Sequence, residues 1–444
     1  MSAPANGPGE TAETLTSNVF VLGLDDFHRG ELQTVTNAGG LAFHPLLDKA
    51  TVLDPNGSRF GDLLEGARGE LDAFDGSVDA IIAHWDFPTS VLAPVLAHER
   101  GLPAQPLRSV LMCEHKYWSR LAQREVVPEV VPDFAGFDPF DDDPLASIHL
   151  EFPFWVKPVK SYSSQLGFMV RSAEDFAEAL DELRAGVHEL GDLFDEALRL
   201  IDLPAEIAQM GGTACIAERL VSGRQLAPEG AVHEGDVYVH GVFDMPKDQR
   251  GLQWSRLVYP AQAPEQVQRR MIEVSERLLR HIGYDDGCFN VEFMWDEERD
   301  QLWLVEVNTR ISQAHSDLFA KVDGMSNHEV ALDVALGHTP SMPEQRGPFN
   351  VAAKAIIHTD EIDDGIVARV PDEAEIAELT ERFPHTYVRI AVEPGDRLSE
   401  LTEQSSYRYD VGTLYLGAHD WDELDEVHRA CLEHLCFEFE PIDR

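Results

Sequence analysis

Lysine is the residue this sequence has least of among its charged types. Only seven occur in 444 residues, and Asp plus Glu exceed Lys plus Arg by 80 to 35, a formal net charge of −45. Phosphate backbones and anionic headgroups repel such a surface, which argues against nucleic acid or a membrane surface as the main partner. It fits a heavily hydrated exterior, whether adapted to high salt or simply acidic. Cysteine is scarce as well. Cys113, Cys215, Cys288, Cys431 and Cys436 are odd in number and lack CxxC spacing, so reduced thiols in a cytoplasmic protein are expected, not a disulfide frame or zinc site. No apolar run is long enough to span a bilayer. The first sixteen residues have neither a basic start nor an apolar core and read as a disordered tail, not a signal peptide. The stretch GLDDFHRG, after the first apolar run, lacks the glycine spacing of a dinucleotide fingerprint, which argues against an oxidoreductase.

What is present is an alternation of elements. Residues 18–24, 50–54 and 78–84 read as short strands, and 88–101 as a helix stopped by Gly101. This predicts an open α/β domain over 17–112 after the tail at 1–16. His84 and Asp86 follow a strand end, where they can touch a substrate or cap a turn. A helix from 113 to about 125 carries Lys116. Residues 152–170 read as strand, polar loop, strand; 172–186 as a Ser-capped helix; and 214–244 as an antiparallel meander. Residues 264–283 and 326–337 read as helices. From about 350 the pattern becomes α+β. The division predicted is 113–345 for a central region, with a small subdomain at about 150–220, and 346–444 for a C-terminal α+β domain or lid.

Residues 287–310 read as a hairpin, GCFNVEFMWDEERDQLWLVEVNTR. Strand alternation places Glu306, Asn308 and Arg310 on one face and Trp303, Val305 and Val307 on the other. Asn290 and Glu292 share a face of the partner strand. The polar face is either wet, as on an edge strand, or holds a ligand. Two carboxylates about 4 Å apart repel by roughly 4 kcal/mol at an effective dielectric near 20. A divalent cation reverses that sign, and oxygen donors from Glu292, Glu306 and Asn308 suit Mg²⁺. The planar fork of Arg310 suits a phosphoryl group or carboxylate. Three of the seven lysines, Lys116, Lys157 and Lys160, fall in one short region.

FNVEF, a turn and LVEVNTR resemble the metal-binding hairpin of the ATP-grasp superfamily. CEHKYWSRL and WVKPVKSYSS resemble its carboxylate–amine ligase and biotin-carboxylase-like branch. The likeness extends over roughly residues 15–340 in element order. It implies a mixed α/β and α+β ATP-grasp fold: an N-terminal open α/β domain, central nucleotide-clasping domains and a C-terminal α+β lid. It implies ATP with Mg²⁺, or Mn²⁺ in its place, on Glu292, Glu306 and Asn308. Lys116 and Lys157 would contact phosphate oxygens; the other reading of Lys157 is a surface lysine. The loop from Ser161 to Gly167, with Ser163 and Ser164, would close over the phosphates, or is an ordinary hairpin loop. Glu218 would accept from the adenine amine, and backbone groups near Leu220 and Val221 would meet the ring edge. Gln225 stands where many members have a ribose-binding Glu. Arg310 and Lys157 would assist transfer. Catalysis of amide or peptide bond formation through an acyl-phosphate is implied, on small carboxylates and amines such as amino acids, with a homodimer left open. The alternatives are a bicarbonate-activating enzyme and a nucleotide-binding regulator without turnover. His315 or Ser312 faces substrate or serves a turn.

Overall fold

The apolar run Val19, Phe20, Val21 and Leu22 is buried on both faces of a strand, which is why it does not alternate. In the computed structural model, which describes residues 16–36, 38–54, 58–161, 166–245, 256–359, 364–401 and 409–442, Ser17–Leu22 pairs in parallel with Leu41–Leu46 and with Ala80–Ala83. The strand expected at 50–54 is a helix, Lys49–Leu53, started by Asp48, whose carboxylate accepts from the Thr51 N–H at 2.9 Å. The second strand is instead Leu41–Leu46. It contains Pro45, which an edge strand tolerates, and its edge position is what the sequence pattern hides. The helix after Ala80–Ala83 is Thr89–Glu99, and Gly101 follows in a left-handed conformation at φ +69.

The helix expected from residue 113 is broken at His115. Leu107–Glu114 ends there, and Lys116–Val126 begins, with the His115 ring accepting from the Trp118 N–H. Lys116 therefore opens a helix. A four-stranded antiparallel sheet follows in the order Phe134–Phe137, Cys215–Arg219, Phe154–Pro158, Phe168–Val170. The helix Ala173–Gly186 packs on it, and its Ser172 cap accepts from the Asp175 N–H at 3.1 Å.

The segment 214–244 is not one meander. Cys215–Arg219 belongs to the small sheet, whereas Arg224–His233 and Asp236–Met245 belong to an eight-stranded sheet. Leu220–Gly223 is the crossing between them. Gly223 sits at φ +144, and a Cβ there would lie 2.3 Å from the Trp295 carbonyl oxygen, so no side chain fits. The large sheet is antiparallel throughout and runs in the order Gln301–Asn308, Gly287–Asp296, Arg224–His233, Asp236–Met245, Arg256–Tyr259, Val351–His358, Asp410–Ala418, Tyr387–Ile390. The last three strands come from the C-terminal region, which thus hydrogen-bonds directly into the sheet that carries the hairpin. That region also has its own apolar cluster, including Val367, Leu379, Leu424 and Cys431, under the helices Glu373–Arg382 and Trp421–His434. No helix among the described residues is long and apolar enough to cross a membrane.

Candidate active site

The two hairpin strands fix the polar groups by register. Asn290 lies opposite Asn308, and Glu292 opposite Glu306, so the carboxylates are direct cross-strand neighbours. One residue is then inserted: Phe293 faces Leu304, and Val305 is left as a bulge. The extra residue reverses the alternation. The face expected from Trp303, Val305 and Val307 is accordingly not found. Leu302, Leu304 and Val307 are buried, and Trp303 lies on the other side, 4.5 Å from the Arg219 guanidinium. Beyond the bulge, Glu306 and Asn308 do share a face with Asn290 and Glu292. The Asn308 amide donates to Glu292 Oε1 at 3.1 Å.

Arg120, which sequence reasoning passed over, holds the bulge in place. The residue is 4 % exposed. Nη1 donates to the Leu304 carbonyl at 2.8 Å and Nη2 to the Val305 carbonyl at 2.9 Å, the two peptide groups of the bulge. Its Nε donates to Glu218 Oε1 at 2.5 Å. Lys157 reaches the other oxygen of Glu218 at 2.8 Å. The Glu218 carboxylate is therefore occupied by two cations, and in this arrangement it orients Lys157 instead of standing free for an adenine amine. Arg120 lies one helical turn after Lys116, on the same helix face, and that spacing was the available signal.

Lys116 donates to Glu306 Oε1 at 2.8 Å and to the Ser161 carbonyl at 2.6 Å. Lys160 is buried and pairs with Glu114. Glu114 also accepts from the Ser90 hydroxyl at 2.6 Å. Arg310 is clamped by Asp86, with Nε at 2.8 Å and Nη2 at 2.6 Å from Oδ1, so the Asp86 carboxylate serves Arg310 and not the turn. Gln225 donates to Glu292 Oε2 at 2.9 Å. All these groups except Ser90 line one cleft of about 610 Å³, together with Leu220 and Val221 of the crossing and the apolar side chains Trp155 and Met294. Ser312 lines it too. His315 does not: it is buried against Glu229 and stacked on Phe243. Ser163 and Ser164 lie outside the described residues.

The charges divide the two facing carboxylates. Burial, then the nearby Glu306, pushes the Glu292 carboxyl up to about 7. Burial would raise Glu306 as well, but Lys116 and Lys157 outweigh it and hold that group at about 2. A site built for its own sake would not leave Glu292 facing an ionised neighbour. Asn290 Nδ2 is also buried without a hydrogen-bond partner. The donors Glu292, Glu306 and Asn308 are all oxygen, which fits a hard cation. Among the described residues no cluster of three or more His, Cys, Asp or Glu is placed to hold a metal ion; the two carboxylates Glu292 and Glu306 are joined by the Asn308 amide.

Two strand layers joined by a hinge, with a carboxylate hairpin facing lysines across the gap, define the ATP-grasp fold. This chain has that fold. Residues 241–342 match the family model described as Carbamoyl-phosphate synthase L chain, ATP binding domain. Among curated proteins, the carbamoyl phosphate synthase large chain of Xylella fastidiosa is 28% identical over 193 residues, covering 42% of this chain and 16% of its own length. The chain thus spans about one sixth of that relative. The D-alanine–D-alanine ligase of Acidiphilium cryptum is 25% identical over 255 residues, covering 56% of this chain and 68% of its own. Among solved structures, the L-amino acid ligase from Bacillus licheniformis superposes with a TM-score of 0.70 at 16% identity, covering 96% of this chain and 99% of that one.

Proposed function

We propose that this chain is an ATP-dependent carboxylate–amine ligase acting on amino acids or similar small molecules. One observation carries the reading: Glu292, Glu306 and Asn308 face Lys116, Lys157, Lys160 and Arg310 across a single cleft. The likeness over nearly the whole length to a structure described as an L-amino acid ligase supports it. Glu292, Glu306 and Asn308 would hold Mg²⁺, or Mn²⁺ in its place, which would supply positive charge to offset that of the phosphates. Lys116 and Lys157 neutralise phosphate oxygens, and Arg120 with Glu218 fixes the direction of Lys157. A substrate carboxylate oxygen attacks the γ-phosphorus of ATP and ADP leaves, giving an acyl-phosphate. An amine nitrogen then attacks the acyl carbon and inorganic phosphate leaves. Arg310, already oriented by Asp86, stabilises the charge on the acyl oxygen. Positioning and charge neutralisation supply most of such a rate.

The match of residues 241–342 to a carbamoyl-phosphate synthase domain favours a second reading, activation of bicarbonate. ADP release with the twenty L-amino acids, with and without bicarbonate, separates the two. Release that depends on an amino acid and not on bicarbonate is expected; release that needs bicarbonate supports the second reading; none with either refutes both. We further propose a cytoplasmic location, supported by five unpaired cysteines, four of them buried. A homodimer is proposed with it, and light scattering on the purified chain tests that.

A further inference from the structure

The row of polar residues that begins at the clamp does not end in the cleft. Asn308 lies opposite Asn290, and Asn290 lies opposite Glu229 on the next strand, Arg224–His233. Glu229 is buried behind the cleft, at 1% exposure. The strand pairing slips beside it: Glu229 faces Gly241 and Gly230 faces Val239, so His240 is a bulge. A bulge re-aims the side chains next to it, and such irregularities gather near active sites. No lysine or arginine among the described residues pairs with Glu229. Its partners are the His315 ring, the Asn327 amide at 2.7 Å and the Ser312 N–H at 3.3 Å. A carboxylate this deep is costly to desolvate, and an apolar side chain would fill the space at less cost. Packing alone therefore does not account for it.

What Glu229 holds is the segment that follows Arg310. Gln105 donates to the Thr309 carbonyl at 3.3 Å, Asp86 clamps Arg310, and the Gln313 amide donates to the His84 carbonyl at 2.6 Å. Ser312, between them, is tied from the opposite side. Its N–H goes to Glu229, and its carbonyl accepts from the same Asn327 amide at 2.9 Å; Asn327 is fixed in turn by the Ser316 hydroxyl at 2.8 Å. The Ser312 hydroxyl has no hydrogen-bond partner among the described residues, and the residue lines the cleft with Arg310. Arg310 cannot offer its whole fork to a substrate carboxylate. Its Nε and Nη2 meet Asp86, and its Nη1 donates to the Ile311 carbonyl at 3.1 Å. A neutral O–H beside a partly committed guanidinium completes the pair of donors that a carboxylate accepts.

We propose that Glu229 is a positioning residue for the substrate end of the cleft: it holds Ser312 beside Arg310, where the serine hydroxyl donates to the carboxylate of the acyl substrate. The proposal rests on the ligase reading and names what fixes the grip on one substrate.

The test uses the full chain with MgATP. Each L-amino acid is assayed singly for ADP release, and the most active is carried forward. Ser312→Ala and Glu229→Gln should each raise KM for that amino acid at least about tenfold, the loss of one hydrogen bond to a charged group, while KM for ATP and the MgATP-induced melting shift stay at wild-type values. Ser312 is extended, at φ −86 and ψ 114, which threonine adopts readily. Ser312→Thr keeps the hydroxyl and should therefore retain most of the affinity. Because Glu229 acts through Ser312, adding Glu229→Gln to Ser312→Ala should raise KM no further, whereas a merely structural glutamate would add its own loss. Asn327→Ser cuts the other tie to Ser312 and should behave as Glu229→Gln does; it carries the test where Glu229→Gln does not fold. An unchanged KM in Ser312→Ala, or losses that multiply in the double variant, overturns the proposal and leaves the ligase reading standing. No release by the wild type with any amino acid overturns both.

Discussion

Glu306 and Glu218 are two cleft carboxylates with different work. Glu306 meets Lys116 and faces Glu292, at the centre of the cleft. Glu306→Gln removes the negative charge and keeps the shape. Turnover should fall by at least about a hundredfold, the scale of losing one electrostatic stabiliser, while the melting temperature of the ligand-free protein stays close to that of the wild type. A wild-type rate of ADP release would refute the metal role. Glu218 is held at about 2, well below its ordinary 4.5: burial raises it, but Arg120 and Lys157 more than offset that. Because the folded value is the lower one, the stabilisation is complete above about pH 4.5 and is lost as pH falls toward 2. A difference of that size is worth on the order of 3 kcal/mol. In urea titrations across that window, Glu218→Gln should flatten the decline. At neutral pH it should cost roughly 3 kcal/mol, because two buried cations lose their counter-charge. An unchanged pH profile would show that the Arg120–Glu218–Lys157 triad contributes nothing to stability.

At the scale of the element, the bulge at Val305 is the decisive feature of the hairpin. It lets Leu302 and Leu304 face the core on one side of the insertion, with Glu306 and Asn308 facing the cleft on the other. Removing one residue from a strand turns every later side chain to the opposite face. A variant lacking Val305 must therefore bury Glu306 and Asn308 or expose the Leu302 and Leu304 half. It should lose MgATP binding by calorimetry and melt at a lower temperature. Full nucleotide binding would show that the alternation does not set the clamp. This element also shows how far the sequence could be read. The hairpin and the shared face of Glu306 and Asn308 follow from alternation; that Glu292 faces Glu306 depends on the register, which only the paired strands fix. The insertion does not follow from alternation either, because it depends on Arg120, 184 residues away, donating to the carbonyls of Leu304 and Val305.

For the molecule as a whole, two quantities are global. Saturating MgATP binds only the folded form and should raise the melting temperature; a hundredfold excess over Kd gives about 2.7 kcal/mol. A melting curve unmoved by MgATP would count against nucleotide binding. The net charge of −45 is the second. Self-repulsion among surface carboxylates is screened within about 10 Å at 0.1 M salt. Thermal stability should therefore rise from low ionic strength to about 1 M KCl, which scanning calorimetry reads directly. The cleft should respond less, since its cations Lys116, Lys157, Lys160, Arg120 and Arg310 are paired with Glu306, Glu218, Glu114 and Asp86.

The sequence by itself determined the hairpin, the clustered lysines and the alternation of strands with helices, because periodicity and residue chemistry are local properties. It also led to local misreadings, at 50–54 and at 214–244 as well as at the His115 helix break and the hairpin face of Trp303, Val305 and Val307. In the first, the Asp48 cap outweighed β-branched residues; in the second, neighbouring strands in the chain joined different sheets. Only the tertiary structure decided that Glu218 orients Lys157 and that Asp86 holds Arg310. Each of those pairings joins residues on separate elements, and a charge finds its partner through space, not along the chain.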